Sequence, residues 1–382
     1  MLIIQSMANK EQNRPFRFYD NRQKYLTFVN TCNEKWKIAE RVTEELKFLQ
    51  PKPPALRFFD AGMGDASVLS HVLRAAHRQY PTIPFYIVGK EISLEDLRLS
   101  LYKFPDRLVE HPASVIIVSN LFYSEAPTLS PHRSKKPINW HEVMLKGSSS
   151  HGFNEQLRAI DELLVNGWQV KASTQSGNPL YVKPSVLVIY REDHKFILNA
   201  VIPKPNEAVD NYDLIIASQP WRARLPVSFK VDNILKPLAL SLAKNGRLFI
   251  VQSCGNNPGL EIINKVWPDL IPFPVGRREL IDGLAKALGK DASAFNLDVP
   301  TDDDALLSYQ MLTLPTEVED TIGTSTLFAA WNAAIYAAQI EDKLLTKALT
   351  NGRYLDATSQ TMQKHGGLWF NDEVFVIVRK RR

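Results

Sequence analysis

Short apolar runs alternate along the chain with segments whose apolar residues recur at helical spacing. Two of these runs, Leu56–Asp60 and Phe85–Val88, flank a helix expected from about Ser67 to Tyr80. A second helix near Leu94–Tyr102 leads to the strongly β-branched run Ser114–Val118. Strands that alternate with amphipathic helices are typical of a parallel sheet with helices on both faces. The pattern therefore predicts an α/β core over 55–126.

The alternation breaks after residue 126 and resumes at 210. Residues 127–209 are interpreted as an inserted α+β segment, with a helix at Asn154–Asn166 and a hairpin of Val186–Tyr190 and Phe196–Val201. An insertion of this length exceeds an ordinary connection and is expected to act as a substrate or cover subdomain.

The second half of the core is predicted from three further strands and one helix. The strands are Tyr212–Ala217, Arg247–Gln252 and the final Glu373–Val378, and the helix covers about Val231–Ala243. Between the last two strands the pattern favours helices at Arg278–Leu288 and Leu327–Ala348. One further strand is predicted between these helices, at Leu306–Leu314. Residues 210–382 thus complete the core with helical additions, and 1–54 are expected to form an N-terminal helical cap.

Composition, charge and cysteine count exclude only a few classes of protein. The chain has 382 residues, 45% apolar and 23% charged, with a net charge of +5. These values are those of an ordinary globular protein, and the charge is compatible with a nucleic-acid partner without favouring one. Cys32 and Cys254 lie far apart, so neither a disulfide framework nor a metal site is indicated. With no apolar run near the ~20 residues that span a bilayer, we expect a cytoplasmic protein without a membrane partner.

The segment Asp60-Ala61-Gly62-Met63-Gly64 joins the first strand to the first core helix. Two glycines one residue apart permit positive φ and close backbone approach, which is typical of a ligand-facing turn. The acidic Asp60 in front of the turn would repel a pyrophosphate and attract a positively charged group. The turn therefore presents a choice between a dinucleotide and a cationic cofactor.

Polar residues also follow the neighbouring strands. Glu91 closes the second strand, Asn120 the third, and Ser218 the fourth. Ligands of open α/β sheets bind at the carboxyl edge of the strands. These side chains are therefore expected to face one site.

In order and spacing these residues resemble the motifs of class I S-adenosylmethionine-dependent methyltransferases, over roughly 55–125 and 210–270. The resemblance implies a Rossmann-like, mostly parallel seven-stranded sheet with helices on both faces. It implies that S-adenosylmethionine is the cofactor, that Glu91 accepts hydrogen bonds from the ribose hydroxyls, and that the end of the third strand contacts adenine. The cofactor-binding candidates are Asp60, Ala61, Gly62, Met63, Gly64, Asp65, Glu91, Ile92, Asn120, Leu121 and Ser218.

Three features weigh against a dinucleotide. Asp60 precedes the turn, Ser67 stands where a third glycine is expected, and a polar-proline-aromatic element follows the fourth strand. Asp65 has two interpretations, a cap of the following helix or a ligand contact, and capping is favoured.

The element Ser218-Gln219-Pro220-Trp221 provides the catalytic candidates. It resembles the Asp/Asn/Ser-Pro-Pro-aromatic element of methyltransferases that act on amino groups, in which polar groups orient the target nitrogen and the ring packs on a planar substrate. Gln219 replaces the first proline, so a second interpretation stays open: a loop that shapes the pocket, with Trp221 as its wall. Methyl transfer is an in-line displacement, and positioning supplies most of its rate.

The functional prediction is methyl transfer from S-adenosylmethionine to a small-molecule acceptor, with an amino nitrogen as one option. Two alternatives remain: a nucleic-acid methyltransferase acting on a base amino group, and a methyltransferase-like binding protein without catalysis. The histidines are scattered and name no general base. The sequence leaves the substrate, the accepting atom and the oligomeric state open.

Overall fold

The computed structural model describes residues 22–134, 136–174, 179–205, 207–208, 210–313, 317–318, 322–349 and 352–381. The described part of the predicted N-terminal cap, residues 22–54, contains two α-helices, and residues 1–21 lie outside the described part of the chain. In none of the described segments is there a helix with the length and apolar character needed to cross a membrane.

The strands, in chain order, are β1 Leu56–Asp60, β2 Phe85–Lys90, β3 Ser114–Ser119, β4 Asn139–Leu145, β5 Val170–Ala172, β6 Pro179–Tyr181, β7 Ser185–Arg191, β8 Tyr212–Ser218, β9 Leu242–Cys254, β10 Phe295–Asn296, β11 Leu306–Gln310 and β12 Trp369–Arg379. The α-helices are α1 Arg22–Thr31, α2 Glu34–Thr43, α3 Ser67–Gln79, α4 Leu94–Leu101, α5 Phe104–Glu110, α6 Ser150–Arg158, α7 Asp161–Gly167, α8 Lys195–Leu198, α9 Val227–Lys230, α10 Lys236–Leu240, α11 Pro258–Val266, α12 Arg277–Leu288, α13 Asp302–Ala305, α14 Thr324–Ala337, α15 Asp342–Leu349 and α16 Arg353–His365.

The central strands run in the order β3-β2-β1-β8-β9-β12. The first five are mutually parallel, and β12 is antiparallel to β9. Dinucleotide-binding sheets have the same order in their five central strands and are mostly parallel. The sheet is therefore Rossmann-like with a reversed last strand, and the reversal brings the beginning of β12 to the carboxyl edge of the other five.

Apolar side chains on the two sheet faces form separate cores, because successive residues of a strand point to opposite sides. In β1, Phe58 packs in the core that includes α3, and Phe59 packs in the opposite one, with its ring 5.2 Å from that of Tyr212. A third cluster joins Phe28 of α1 to Trp331 of α14 and other C-terminal residues. The N-terminal and C-terminal helices thus pack together at the edge of the sheet.

Within the described residues the sheet has ten strands, so the predicted count of seven was wrong. Strands β7 and β4 of the insertion extend the sheet beyond β3, and the short β10 and β11 both pair with β12. The predicted hairpin strand Phe196–Val201 was also wrong, because α8 begins at Lys195. Both edges of β7 are already occupied by β3 and β4, so no edge is left for a hairpin partner.

Three predicted helices differ in extent. The helix expected at Asn154–Asn166 is divided into α6 and α7. The helix expected at Val231–Ala243 starts at Val227, passes through a π-helical segment and ends at Leu240, and β9 already begins at Leu242. The long helix expected at Leu327–Ala348 is two helices, α14 and α15. The helical conformation is interrupted between them at Gln339, whose φ of 51° is left-handed.

Gly246 lies in β9 where the chain comes closest to β8. A Cβ atom there would lie 2.5 Å from the carbonyl oxygen of Tyr212 and 2.8 Å from that of Ala243. Backbone atoms cannot rotate away as a side chain can, so only glycine fits.

We predict that Gly246→Ala lowers the free energy of unfolding by about 2 kcal/mol, the usual cost of overpacking. Denaturant unfolding followed by circular dichroism measures it. Gly255→Ala is the matched control, because its Cβ would meet only a terminal methyl of Leu260, at 2.7 Å, which can rotate away. An equal loss in both variants would contradict the explanation.

Candidate functional site

The glycine turn is held against the ends of three strands. The backbone N of Ala61 donates to the oxygen of Ile216 at 2.8 Å, and that of Met63 to the oxygen of Lys90 at 3.0 Å. Gly64 has a φ of 53°, a conformation that favours glycine. The turn is therefore fixed across β1, β2 and β8 at the carboxyl edge.

Asp60 closes β1 and is only 2% exposed. Its Oδ1 accepts the backbone N–H of Gly62 at 3.2 Å, and no ion pair to it exists within the described residues. Burial raises the pKa of Asp60 to about 7, helped by nearby Glu91 and opposed by the Gly62 N–H and Lys35. A buried carboxyl without an ion pair favours a positively charged neighbour, because such a neighbour stabilises the ionised form.

Glu91 follows β2 and is buried beside the same turn. Its two carboxyl oxygens accept the backbone N–H groups of Gly64, at 2.8 Å, and of Ser93, at 2.7 Å. Burial raises the pKa of Glu91 to about 7, helped by Asp96. Each oxygen keeps a lone pair that a hydroxyl group can use. Ile92 is half-buried next to it.

Asp65 differs from Asp60 because it is surrounded by cations. Its oxygens bind Lys35 Nζ at 2.6 Å and Lys103 Nζ at 3.0 Å, and the hydroxyl of Ser67 at 2.7 Å. Burial alone would raise the pKa of Asp65, but the two lysines and Ser67 outweigh it and hold the pKa well below its usual range. The residue at the helix N-cap is Ala66, and Asp65 contributes by accepting the backbone N–H of Ser67 at 3.2 Å.

Helix α1 and the start of α2 lie over the turn. Lys35 Nζ donates to the hydroxyl oxygen of Tyr25 at 2.7 Å, and this hydroxyl lies 3.5 Å from where a Cβ of Gly64 would be. We call α1 and the start of α2 the cover. The ion pair of Lys35 with Asp65 fixes this cover onto the core.

The end of β3 is directed into the protein. The Nδ2 of Asn120 donates to the carbonyl oxygens of Gly167 and Lys183, at 3.0 and 2.9 Å, and its Oδ1 accepts the backbone N–H of Ser185 at 2.8 Å. These bonds favour a structural role that attaches β3 to the insertion, so the contact of Asn120 with adenine stays a prediction. Leu121 is completely buried next to it.

The element after β8 has a conformation that proline could not adopt. Gln219 has a φ of 48°, whereas a proline ring fixes φ near −65°. Ser218 is half-buried, and its carbonyl oxygen lies 3.8 Å from where a Cβ of Gly62 would be. Pro220 accepts the hydroxyl of Tyr123 at 2.9 Å through its carbonyl oxygen. Trp221 is 6% exposed.

The ring of Trp221 is anchored in the protein. Its Nε1 donates to Oε1 of Gln252 at 2.9 Å, and Lys230 Nζ lies 5.5 Å from the ring centroid. These contacts support the interpretation of this element as a loop that shapes the pocket. They give less support to a ring free to stack on a substrate.

Sequence reasoning missed residues that reach the site from other parts of the chain. Lys90 Nζ lies 4.5 Å from the ring centroid of Tyr123, and burial lowers the pKa of Lys90. Glu34 of α2 and Asp372 of β12 approach Gln219. A lone lysine or carboxylate gives no local sequence signal of a functional role, because that role depends on residues that are distant in the sequence and close in space.

Among the solved structures that match the chain are class I S-adenosylmethionine-dependent methyltransferases. A geranyl diphosphate methyltransferase in complex with GPP and sinefungin matches at 12% identity and TM-score 0.33, over 90% of this chain and 78% of that one. The phosphoethanolamine N-methyltransferase 2 of Haemonchus contortus, in complex with S-adenosyl-L-methionine, matches at 9% and 0.29, over 90% and 53%. The rRNA methyltransferase aviRa from Streptomyces viridochromogenes matches at 13% and 0.24, over 57% and 74%.

No family model and no curated protein matches the sequence. The fold and the site define a Rossmann-like α/β protein whose sheet edge presents a glycine turn between two buried carboxyls.

The lowered pKa of Asp65 predicts a pH-dependent contribution to stability. An acid whose folded pKa lies below its unfolded value of about 3.9 stabilises the fold above that value, and the stabilisation is lost as the pH falls toward the folded pKa. We expect Asp65→Asn to lower the free energy of unfolding at pH 7, with a smaller difference from wild type at pH 3. Urea unfolding at both pH values measures this, and a difference that grows at pH 3 would contradict it.

Proposed function

We propose that the protein transfers a methyl group from S-adenosylmethionine to a small-molecule acceptor. The observation that supports this most directly is the pair of buried carboxyls, Asp60 and Glu91, on either side of the glycine turn. Both have a pKa raised to about 7, and Asp60 has no ion pair within the described residues.

S-adenosylmethionine fits these groups in charge and in hydrogen bonding. Its ammonium and sulfonium groups are positive, as Asp60 requires, and its two ribose hydroxyls are donors for the free lone pairs of Glu91. A dinucleotide would place a pyrophosphate near Asp60. Two like charges 4 Å apart repel by roughly 4 kcal/mol at the effective dielectric constant of a protein surface.

The residues that would hold the cofactor are Asp60, the backbone from Gly62 to Gly64, Glu91 and Ser218, with Leu121 as an apolar neighbour of the adenine. When bound, the cofactor supplies an electrophilic methyl group on a positively charged sulfur. The chain supplies orientation and exclusion of water through Tyr25 and the helix that carries it.

The acceptor is proposed to be small because the helices enclose the edge. Tyr25 covers the glycine turn, and the aromatic residue of the loop after β8, Trp221, is buried rather than presented to a partner. A nucleic-acid enzyme needs a basic groove with accessible aromatic rings. Action on a base stays the first alternative, and cofactor binding without turnover the second. For the insertion, 127–209, a part in substrate choice remains a proposal.

We predict that S-adenosylhomocysteine binds to the wild type and that NAD does not. Asp60→Asn should weaken S-adenosylhomocysteine binding about 10-fold or more, since a hydrogen bond to a charged group contributes about 1.5–3 kcal/mol. Isothermal titration calorimetry measures both ligands. Asp303→Asn, which removes an equal charge from an exposed site, is the control. Binding of NAD without S-adenosylhomocysteine would refute the proposal.

The same substitution should stabilise the protein without ligand. The Asp60 carboxyl loses its proton near pH 4 when unfolded but near pH 7 when folded, so wild-type stability falls as the pH rises through this window. Asparagine has no charge to bury. Asp60→Asn should therefore be more stable than wild type at pH 8, and the gain should shrink at pH 5. Thermal unfolding at both pH values measures this, and a variant less stable than wild type at pH 8 would contradict it.

A further inference from the structure

Asp372 lies at the carboxyl edge because β12 runs opposite to the other central strands. Its backbone pairs with Ser253 of β9 on one side and Leu307 of β11 on the other. The side chain is completely buried, and neither carboxyl oxygen makes a hydrogen bond of standard geometry in the described part of the chain, although Glu34, Gln219 and Ser253 are its polar neighbours. A buried polar group left unsatisfied costs about 1–3 kcal/mol. Such a group marks a place where a ligand can supply the missing donor.

Two further polar side chains meet at this place. The Nε2 of Gln219 donates to Oε1 of Glu34 at 3.4 Å, and its Oε1 accepts the backbone N–H of Ser253 at 3.1 Å. Ser253 is the residue directly opposite Asp372, so Gln219 connects the start of α2 to the pair of strands.

The cluster offers two carboxyls and no free cation among the described residues. Lys35, the neighbour of Glu34, is directed to Asp65 and Tyr25. Burial raises the pKa of Glu34 to about 7, against the opposing effect of Lys35. Burial together with Glu34 raises the pKa of Asp372 well above its usual range, against the opposing effect of Ser253 and Gln219. A cation beside the pair would favour the ionised form of both groups, and ionised carboxylates only accept hydrogen bonds, so the complementary ligand carries donors and a positive charge.

Aromatic rings lie near the carboxyls: burial, Asp372 and Glu34 together raise the pKa of the Tyr309 hydroxyl well above its usual value. Phe28 lies 4.5 Å from Tyr336 and 6.0 Å from Tyr309, and Tyr309 lies 5.3 Å from Phe370, measured between ring centroids. A small crevice lined by Ser253, Tyr309, Phe370 and Asn371 borders the cluster. Aromatic faces attract alkylammonium groups. Acidic oxygens and aromatic rings together favour an amine over an alcohol or an acid.

We propose that Glu34, Gln219 and Asp372 form the binding site for the amino or ammonium group of the acceptor. The site adjoins the glycine turn, because Ser218, the residue before Gln219, has its carbonyl oxygen next to Gly62. Glu34 is half-buried and gives the site its contact with solvent, while Asp372 forms its inner end. The identification of the bound amine as methyl acceptor rests on the proposed function.

The test uses full-length protein saturated with S-adenosylhomocysteine and three probes with the same carbon chain, n-butylammonium, n-butanol and n-butyrate. Saturation-transfer NMR measures binding of each. We expect n-butylammonium to bind at millimolar concentration and the other two to bind at least 10-fold more weakly. Glu34→Gln and Asp372→Asn should each weaken n-butylammonium binding at least 10-fold. Glu40→Gln, on the exposed side of the same helix, is the control and should not.

Calorimetry with S-adenosylhomocysteine separates the two proposals and shows that the variants are folded. Three results would refute the amine site when S-adenosylhomocysteine binds normally. n-Butylammonium could fail to bind, or it could bind no more tightly than n-butanol. It could also bind Glu34→Gln and Asp372→Asn with the same affinity as wild type. If n-butylammonium binds as expected to protein that fails to bind S-adenosylhomocysteine, the amine site stands and the methyltransferase proposal falls. Retained n-butylammonium binding in Asp372→Asn alone would remove Asp372 from the site.

Discussion

Burial of the Asp60 and Glu91 carboxyls at neighbouring strand ends is the constraint on which the site depends. Both are closed off from water by the turn and by the helices above it, and burial raises the pKa of each to about 7. A fold that keeps two such groups beside one glycine turn is less stable without a ligand than it could be. Under the proposed function a cation and hydrogen-bond donors at the edge would recover this cost, so the instability of the unliganded site and the affinity for the cofactor would have the same origin.

Asp65, five residues after Asp60, shows that the neighbours of a carboxylate and not its position decide its role. Lys35 and Lys103 satisfy Asp65, which thereby fixes α2 and the segment after α4 to the start of α3. Asp60 receives one backbone N–H from Gly62 and no cation within the described residues. One carboxylate therefore holds the cover in place, and the other is left for the proposed cofactor.

The sequence predicted what depends on neighbouring residues along the chain, such as the strand that ends at Asp60 and the glycine turn after it. It could not predict contacts made across the sheet. Asn120 follows its strand as expected, but its amide is used by the insertion, whose strands extend the sheet instead of forming a hairpin. Glu34 and Asp372 lie near opposite ends of the sequence. They meet only because β12 is reversed, a property of topology that no local pattern encodes.

The acidic groups at the carboxyl edge also bear on the class of acceptor. The net charge of +5 is compatible with a nucleic-acid partner. The edge itself, however, presents Asp60, Glu91, Glu34 and Asp372, and a phosphodiester would meet carboxyls there. Local charge outweighs net charge over the few ångströms that separate a ligand from its site, because ions screen the more distant groups. A small acceptor that carries an amine satisfies the inner carboxyls directly, whereas a nucleic acid would have to bring its base in while its backbone stayed away from them.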